Sequence, residues 1–111
     1  LPGFSKEEQA LLAALIALHR GKIRLSWLEH VRESDHKLIK RLTVLLRIAI
    51  RLNRNRSDHR GADLRVDVQK SDVKLVFDSE WLKDHPLSSA DLEDEAHRLL
   101  TMGIELSVIA E

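Results

Sequence analysis

The sequence contains no cysteine among its 111 residues, so disulfides and thiolate chemistry are excluded and a reducing cytosol is permitted. Long apolar runs are missing too. None approaches the roughly 18 residues a membrane span needs, because Arg47 and Arg51 interrupt the most apolar stretch. No secretory leader pattern is visible, since Pro2, Gly3 and a Lys/Glu-rich stretch precede the first apolar residues. These absences lead us to expect a cytoplasmic protein with no membrane partner. The first residue is Leu1 rather than methionine, so the chain reads as part of something longer. Aromatics are scarce, two Trp and two Phe. No interleaving of basic and aromatic residues surrounds Trp27 or Trp81, which therefore read as core or interface anchors rather than as stacking platforms.

The familiar catalytic patterns are also lacking. There is no His-Glu-x-x-His, no Gly-x-Ser-x-Gly elbow and no Gly-rich phosphate loop. The dipeptide Asp-His occurs at 35–36, 58–59 and 84–85, each time at an expected helix end or loop, where a polar cap explains it. Asp91, Glu93, Asp94 and Glu95 cluster in what reads as the first turns of a helix, where the helix dipole favours carboxylates. No catalytic residue and no metal ligand is expected within this chain.

What is present suits a folded domain: 43% hydrophobic and 32% charged residues. The formal charge of zero hides a split. Residues 1–60 carry 13 Lys/Arg against 6 Asp/Glu, and residues 61–111 carry 5 against 12. Two lobes with different roles are one explanation, the first attracting anions; mutual attraction between lobes or between copies is another.

Periodicity divides the chain at the same place. Ser5 with Glu8 forms a capping box ahead of Leu11, Leu12, Leu15, Ile16 and Leu18 at helical spacing, with Gly21 as the stop. Ser26 with Glu29 predicts a short second helix carrying Leu28 and Val31. Ser34 predicts a cap for a third, running to about Asn55. On that long helix Leu38, Leu42, Leu45, Ala49 and Leu52 share one side, flanked by Ile39 and Leu46. Lys40, Arg47, Arg51 and Arg54 form a narrow arc opposite. The polar segment "RSDHRGAD" marks a boundary near Gly61. Beyond it, Leu64, Val66 and Val68 alternate with polar residues, as do Val73, Leu75 and Phe77 after a turn at residues 70–72, predicting a hairpin with half-buried strands. Ser79 predicts a helical turn bearing Trp81 and Leu82, stopped by Pro86. Ser88 with Asp91 predicts a helix with Leu92, Ala96 and Leu99 inward, ended by Gly103. Ile104, Leu106 and Val108 predict a third strand. The expected class is α+β: a helical lobe over 1–60, then a small three-stranded sheet with helix, β-β-α-β, over 61–111.

The basic stripe is the main functional signal. Arginine forks match phosphate oxygens, and a row of them on one helix suits a linear polyanion. A solvated helix face is the ordinary alternative. The stripe is Arg-rich, and no acid on the same helix lies at i±4 to neutralise it.

Three stretches, "LPGFSKEEQALLAALIALHRGKI", "LIKRLTVLLRIAIRLNRNRS" and "FDSEWLKDHPL", together resemble the C-terminal region of bacterial exopolyphosphatases and the related guanosine pentaphosphate phosphatases. The resemblance spans nearly the whole chain. It implies a parent enzyme whose actin-like N-terminal domains hold the catalytic carboxylates and Mg²⁺. Residues 1–60 would then be the later part of a helical domain similar to His-Asp phosphohydrolases, and 61–111 the small α+β lobe. It also implies a homodimer and a basic channel for polyphosphate. Arg47, Arg56, His19 and Arg20 stand at positions matching the family's motifs, and are carried over as candidate polyphosphate contacts. Arg51, Arg54 and Lys40 join them on helix geometry alone. The fragment by itself is expected to be inactive. "ALHRGKI" leans toward the exopolyphosphatase version, with a guanosine nucleotide as the alternative substrate. A purely structural interaction module is a rival reading. Nucleic-acid binding is disfavoured by the neutral overall charge and the acidic second lobe.

Overall fold

A computed structural model describes residues 3–54 and 64–111. The elements run α1 (Lys6–Leu18), α2 (His36–Arg54), β1 (Arg65–Gln69), β2 (Asp72–Phe77), α3 (Ser79–Asp84), α4 (Pro86–Leu99) and β3 (Glu105–Ala110), with single 3₁₀ turns at Leu25–Leu28, Glu33–Asp35 and Leu100–Met102. The architecture is α+β, as expected. Two compact units divide it, Leu1–Arg47 and Ile48–Glu111, and their boundary falls inside α2. The boundary read from composition near Gly61 lies outside the described residues.

In the first unit, α1 starts where the capping box places it. The Ser5 amide donates to Glu8 Oε1 at 2.9 Å, and the Glu8 amide donates to Ser5 Oγ at 3.1 Å. The backbone amide of Ser5, and then its hydroxyl, holds the Glu8 carboxyl below its usual range. The second expected helix is only the 3₁₀ turn Leu25–Leu28. Ser26 falls inside that turn instead of capping it; Arg24 takes the cap position and offers no side-chain bond. Ser34 likewise lies within a 3₁₀ turn, and α2 begins two residues later at His36. Ala14, Leu18, Ile23, Leu28, Val31, Ile39 and Val44 form the buried apolar set of this unit.

In the second unit, β1 and β2 make the predicted hairpin. Gln69 faces Asp72 across a two-residue turn. Lys70 takes a positive φ of 54° there, the conformation that tight hairpin turns require. β3 joins β2 in parallel, giving the sheet order β1-β2-β3. A parallel pair needs a crossover, which α3 and α4 supply. Val73, Leu75, Phe77, Leu92, Leu99, Met102, Ile104 and Leu106 are buried. Trp81 stacks on Phe77 with ring centroids 5.1 Å apart, which makes it the core anchor the sequence suggested.

Three expectations change. Pro86 ends α3 as expected and also opens α4, two residues ahead of the predicted Ser88 cap, because its fixed φ and missing amide suit a first helical position. The acids at 91–95 therefore lie beyond the first turn, which contains none. β1 is an edge strand, and all five of its residues are exposed, so its Val66 and Val68 are not half-buried.

Gly103 closes the 3₁₀ turn at a φ of +73°, letting the Ile104 amide reach back to the Leu99 carbonyl at 3.2 Å. A Cβ there meets nothing within 4 Å. Gly103→Ala should therefore lower stability by about 1 kcal/mol, through backbone strain alone. Urea unfolding should show a lower midpoint with an unchanged slope.

Candidate functional site: two buried arginines and a cationic loop

α2 sits the other way round from the simplest reading of its pattern. Ile39, Thr43, Val44, Arg47, Ile48 and Arg51 are buried, while Leu38, Leu42, Leu45 and Leu46 are exposed. The arc that carries Arg47 and Arg51 faces inward, and each guanidinium finds acceptors inside its own unit.

Arg47 is 2% exposed. Its Nη1 donates to the Leu18 carbonyl and its Nη2 to the Gly21 carbonyl, both at 2.7 Å. Leu18 is the last residue of α1, and a helix end leaves carbonyls without helical partners on the negative side of the dipole. The last turn of α1 has no basic residue of its own. Arg47 supplies that cation from the next helix, and its fork spans the two carbonyls that the turn at Gly21 brings together.

Arg51 lies in the second unit and meets α4. Nη2 donates to Asp94 Oδ2 at 2.6 Å, Nη1 to Asp91 Oδ1 at 3.1 Å, and Nε to Glu95 Oε1 at 3.1 Å. The three acids are spaced i, i+3, i+4, which puts them on one face of α4. Glu95 is 1% exposed. Burial disfavours the Arg51 charge, but Asp94 and Glu95 outweigh it and hold the guanidinium pKa above its ordinary value. The hydrogen bond from Arg51, aided by one from Arg98 at 3.1 Å, keeps the Asp94 carboxyl below its ordinary range. The acidic cluster that read as a dipole cap is thus an acceptor set for an arginine 40 or more residues earlier in the chain.

The other expected contacts are scattered. Lys40 is half-buried and borders an open concavity of about 470 Å³ with Leu25, Leu28, Glu29, Val31, Glu33 and His36. Carboxylates and cations mix there, which does not favour anions. His19 turns its Nδ1 to the Ile16 carbonyl of its own helix. Arg20 is exposed. The side chain of Arg54, and Arg56 entirely, lie outside the described residues. Sequence reasoning passed over Lys22 and Arg24. Both are exposed, and together with Arg20 they alternate with Gly21 and the buried Ile23. "RGKIR" was the available signal: a cation at every second position, anchored by one isoleucine.

Two of the Asp-His pairs have ordinary partners. Asp35 pairs with Arg32 at 3.0 Å, and His36 Nε2 approaches the Val31 carbonyl at 2.9 Å. His85 Nδ1 approaches the Trp81 carbonyl at 2.7 Å, and its ring stacks on Trp81 at 4.1 Å. The pair at 58–59 lies outside the described residues. Among the described residues no group of three or more His, Asp or Glu is placed to hold a metal ion. No helix there is long and apolar enough to cross a membrane.

The chain thus combines a helical unit with a unit built on a small mixed sheet, and Arg47 and Arg51 are buried in them. The chain belongs to the Ppx/GppA phosphatase family: residues 1–96 match the model of Ppx/GppA phosphatase, domain III. It is similar to three proteins named guanosine-5'-triphosphate,3'-diphosphate pyrophosphatase. The one from Pseudoalteromonas translucida is 29% identical over 97% of this chain and 22% of its own length. Those from Vibrio vulnificus and Vibrio cholerae are 28% and 30% identical, each over 97% of this chain and 21% of their length. The chain therefore spans about a fifth of the length of the curated relatives it matches.

Proposed function

We propose that this chain is a non-catalytic accessory region of a longer cytoplasmic hydrolase that removes a terminal phosphate from a polyphosphorylated anion. The names of its relatives support guanosine 5'-triphosphate 3'-diphosphate as the parent's substrate. Inorganic polyphosphate is the second reading, favoured by "ALHRGKI" at residues 17–23. In either case the Mg²⁺ and the bond-breaking groups belong to catalytic domains outside this chain. A homodimer is the assembly we expect.

The fate of the cations carries the accessory role. Arg47 and Arg51 bind this chain's own carbonyls and carboxylates, whereas Arg20, Lys22 and Arg24 stand exposed on a loop with no acid between them. The first two shape the fold. The loop offers three charges to a phosphate chain, several weak contacts that retain a long anion without chemistry.

The test is made in the full-length enzyme with Arg20, Lys22 and Arg24 all changed to Gln. KM for the long-chain anion should rise about fivefold and become less sensitive to salt, with kcat within about twofold. Parallel assays on guanosine pentaphosphate and on polyphosphate identify the substrate. An unchanged KM for both anions rules the loop out, and a collapse of kcat at constant KM rules out an accessory role.

A further inference from the structure

Arg20, Lys22 and Arg24 stand just beyond the C-terminal end of α1, a place that by itself disfavours an anion. The carbonyls there lack helical partners and the helix dipole is negative. Cations this close to a helix end can fold back and cap it. These three do not: their side chains make no hydrogen bond or ion pair with another described residue. The helix end is occupied from elsewhere in the same unit. Buried Arg47 donates to the Leu18 and Gly21 carbonyls at 2.7 Å each, and His19 turns its Nδ1 to the Ile16 carbonyl. Two further points hold the loop backbone. Gly21 has a φ of +72°, a conformation that favours glycine, and Ile23 is 4% exposed. Fixed residues at 21 and 23 thus alternate with uncommitted cations at 20, 22 and 24.

We propose that Arg47 is a positioning residue for the anion. By capping α1 and holding the Gly21 carbonyl, it keeps Arg20, Lys22 and Arg24 off the helix end and presents them, already ordered, to adjacent phosphates of one polyphosphorylated chain. The proposal rests on the reading of that loop as the anion contact. Two effects act together. The buried guanidinium offsets the negative end of α1, which otherwise repels a phosphate. It also fixes the loop before the ligand arrives, so less conformational freedom is lost on binding. Without it the nearest cations turn to the bare carbonyls in place of the anion.

The test is steady-state kinetics of the full-length enzyme, with guanosine pentaphosphate and polyphosphate as separate substrates. Arg47→Met should raise KM about fourfold and leave kcat within about twofold. With Arg20, Lys22 and Arg24 all changed to Gln, the same substitution should add less than about 1.5-fold, because it acts only through those cations. Arg47→Lys keeps the charge but loses the planar fork, so its KM should rise about twofold; it also serves if Arg47→Met does not fold. Arg51→Met weakens a different part of the fold and should leave KM unchanged, which separates positioning from a general loss of stability.

An unchanged KM in both Arg47 variants, beside a raised KM in the triple Gln variant, overturns the proposal and spares the loop. No effect of the triple variant overturns the reading of the loop itself, and the proposal with it. Effects of Arg47→Met and the triple variant that multiply make Arg47 a direct phosphate contact. A KM rise shared by Arg51→Met makes the effect one of stability. Either of these last two outcomes overturns positioning.

Discussion

Arg51→Met should lower the stability of the chain by about 3 kcal/mol, a fall in Tm of about 10 °C for a domain of this size. The physical reason is what remains. Glu95 stays buried without the Arg51 guanidinium, and Asp91 loses its bond to Arg51 on the same face of α4. Removing one member of a buried ion pair costs more than the pair contributes, because the desolvation of the other member is left uncompensated. Asp94 is half-exposed and adds little. Arg51→Met combined with Glu95→Met should recover most of the loss, since two apolar side chains in place of the buried pair leave no stranded charge. Urea unfolding of the two single variants and the double variant measures the coupling. A loss under about 1 kcal/mol in the single variant would mean that the fork does not hold α2 to α4.

The same cluster sets a pH dependence. Arg51 hydrogen-bonds Asp94 and holds its folded-state pKa below the ordinary value of 3.8. A carboxyl whose pKa is lowered on folding contributes stability that is complete above its unfolded value and disappears as pH falls through its folded one. Stability should therefore drop on the acid side of 3.8. The drop should be shallower in Arg51→Met, where Asp94 keeps only Arg98. A series of unfolding midpoints from neutral pH down to about pH 3 reads this directly.

Arg47→Met should cost a comparable amount, about 3 kcal/mol, for a different reason. No charge is stranded; the Leu18 and Gly21 carbonyls are left at the end of α1 without the donors that satisfy them. Charge-assisted bonds of this kind are each worth about 1.5–3 kcal/mol. Arg47→Lys should recover only part, because an ammonium is a point donor and does not reproduce the planar fork across two carbonyls. Hydrogen exchange should rise most in the last turn of α1, where the freed end frays. If Arg47→Met leaves stability unchanged and instead weakens polyanion binding, the guanidinium is a ligand contact and the structural role assigned to it is wrong.

These two residues show where sequence reasoning was strong and where it stopped. That Lys40, Arg47 and Arg51 share one side of a helix follows from 3.6-residue periodicity, and the structure keeps that arc. Which side turns inward does not follow. Apolar pattern favours the leucines, but Arg47 and Arg51 meet acceptors that lie far away in the sequence. Nothing within α2 announces those acceptors. The rule that i±4 acids neutralise a stripe looks only along one helix, whereas these acids stand on α4. The hairpin, the capping box at Ser5 and the stop at Gly103 were legible because each depends on residues within five positions of one another. Ser26 and Ser34 carried the same cap signal and yielded 3₁₀ turns, since a cap motif states where a helix can begin and not how long it persists. Val66 and Val68 read as half-buried because alternation reports that a strand has an apolar side, and not whether a layer lies over it.

By itself, then, the sequence determined local conformation, the α+β class, the charge asymmetry and the resemblance to the Ppx/GppA phosphatases. Each of these is set by short-range sterics, hydrogen bonding or the order of residue types along the chain. Tertiary structure alone decided that Arg47 and Arg51 are buried ties, that the acids of α4 are their partners, and that the leucine side of α2 faces outward. Burial is a property of what else is nearby in space. A guanidinium fork that finds carbonyls and carboxylates in place can occupy an interior position which hydrophobicity would otherwise give to leucine.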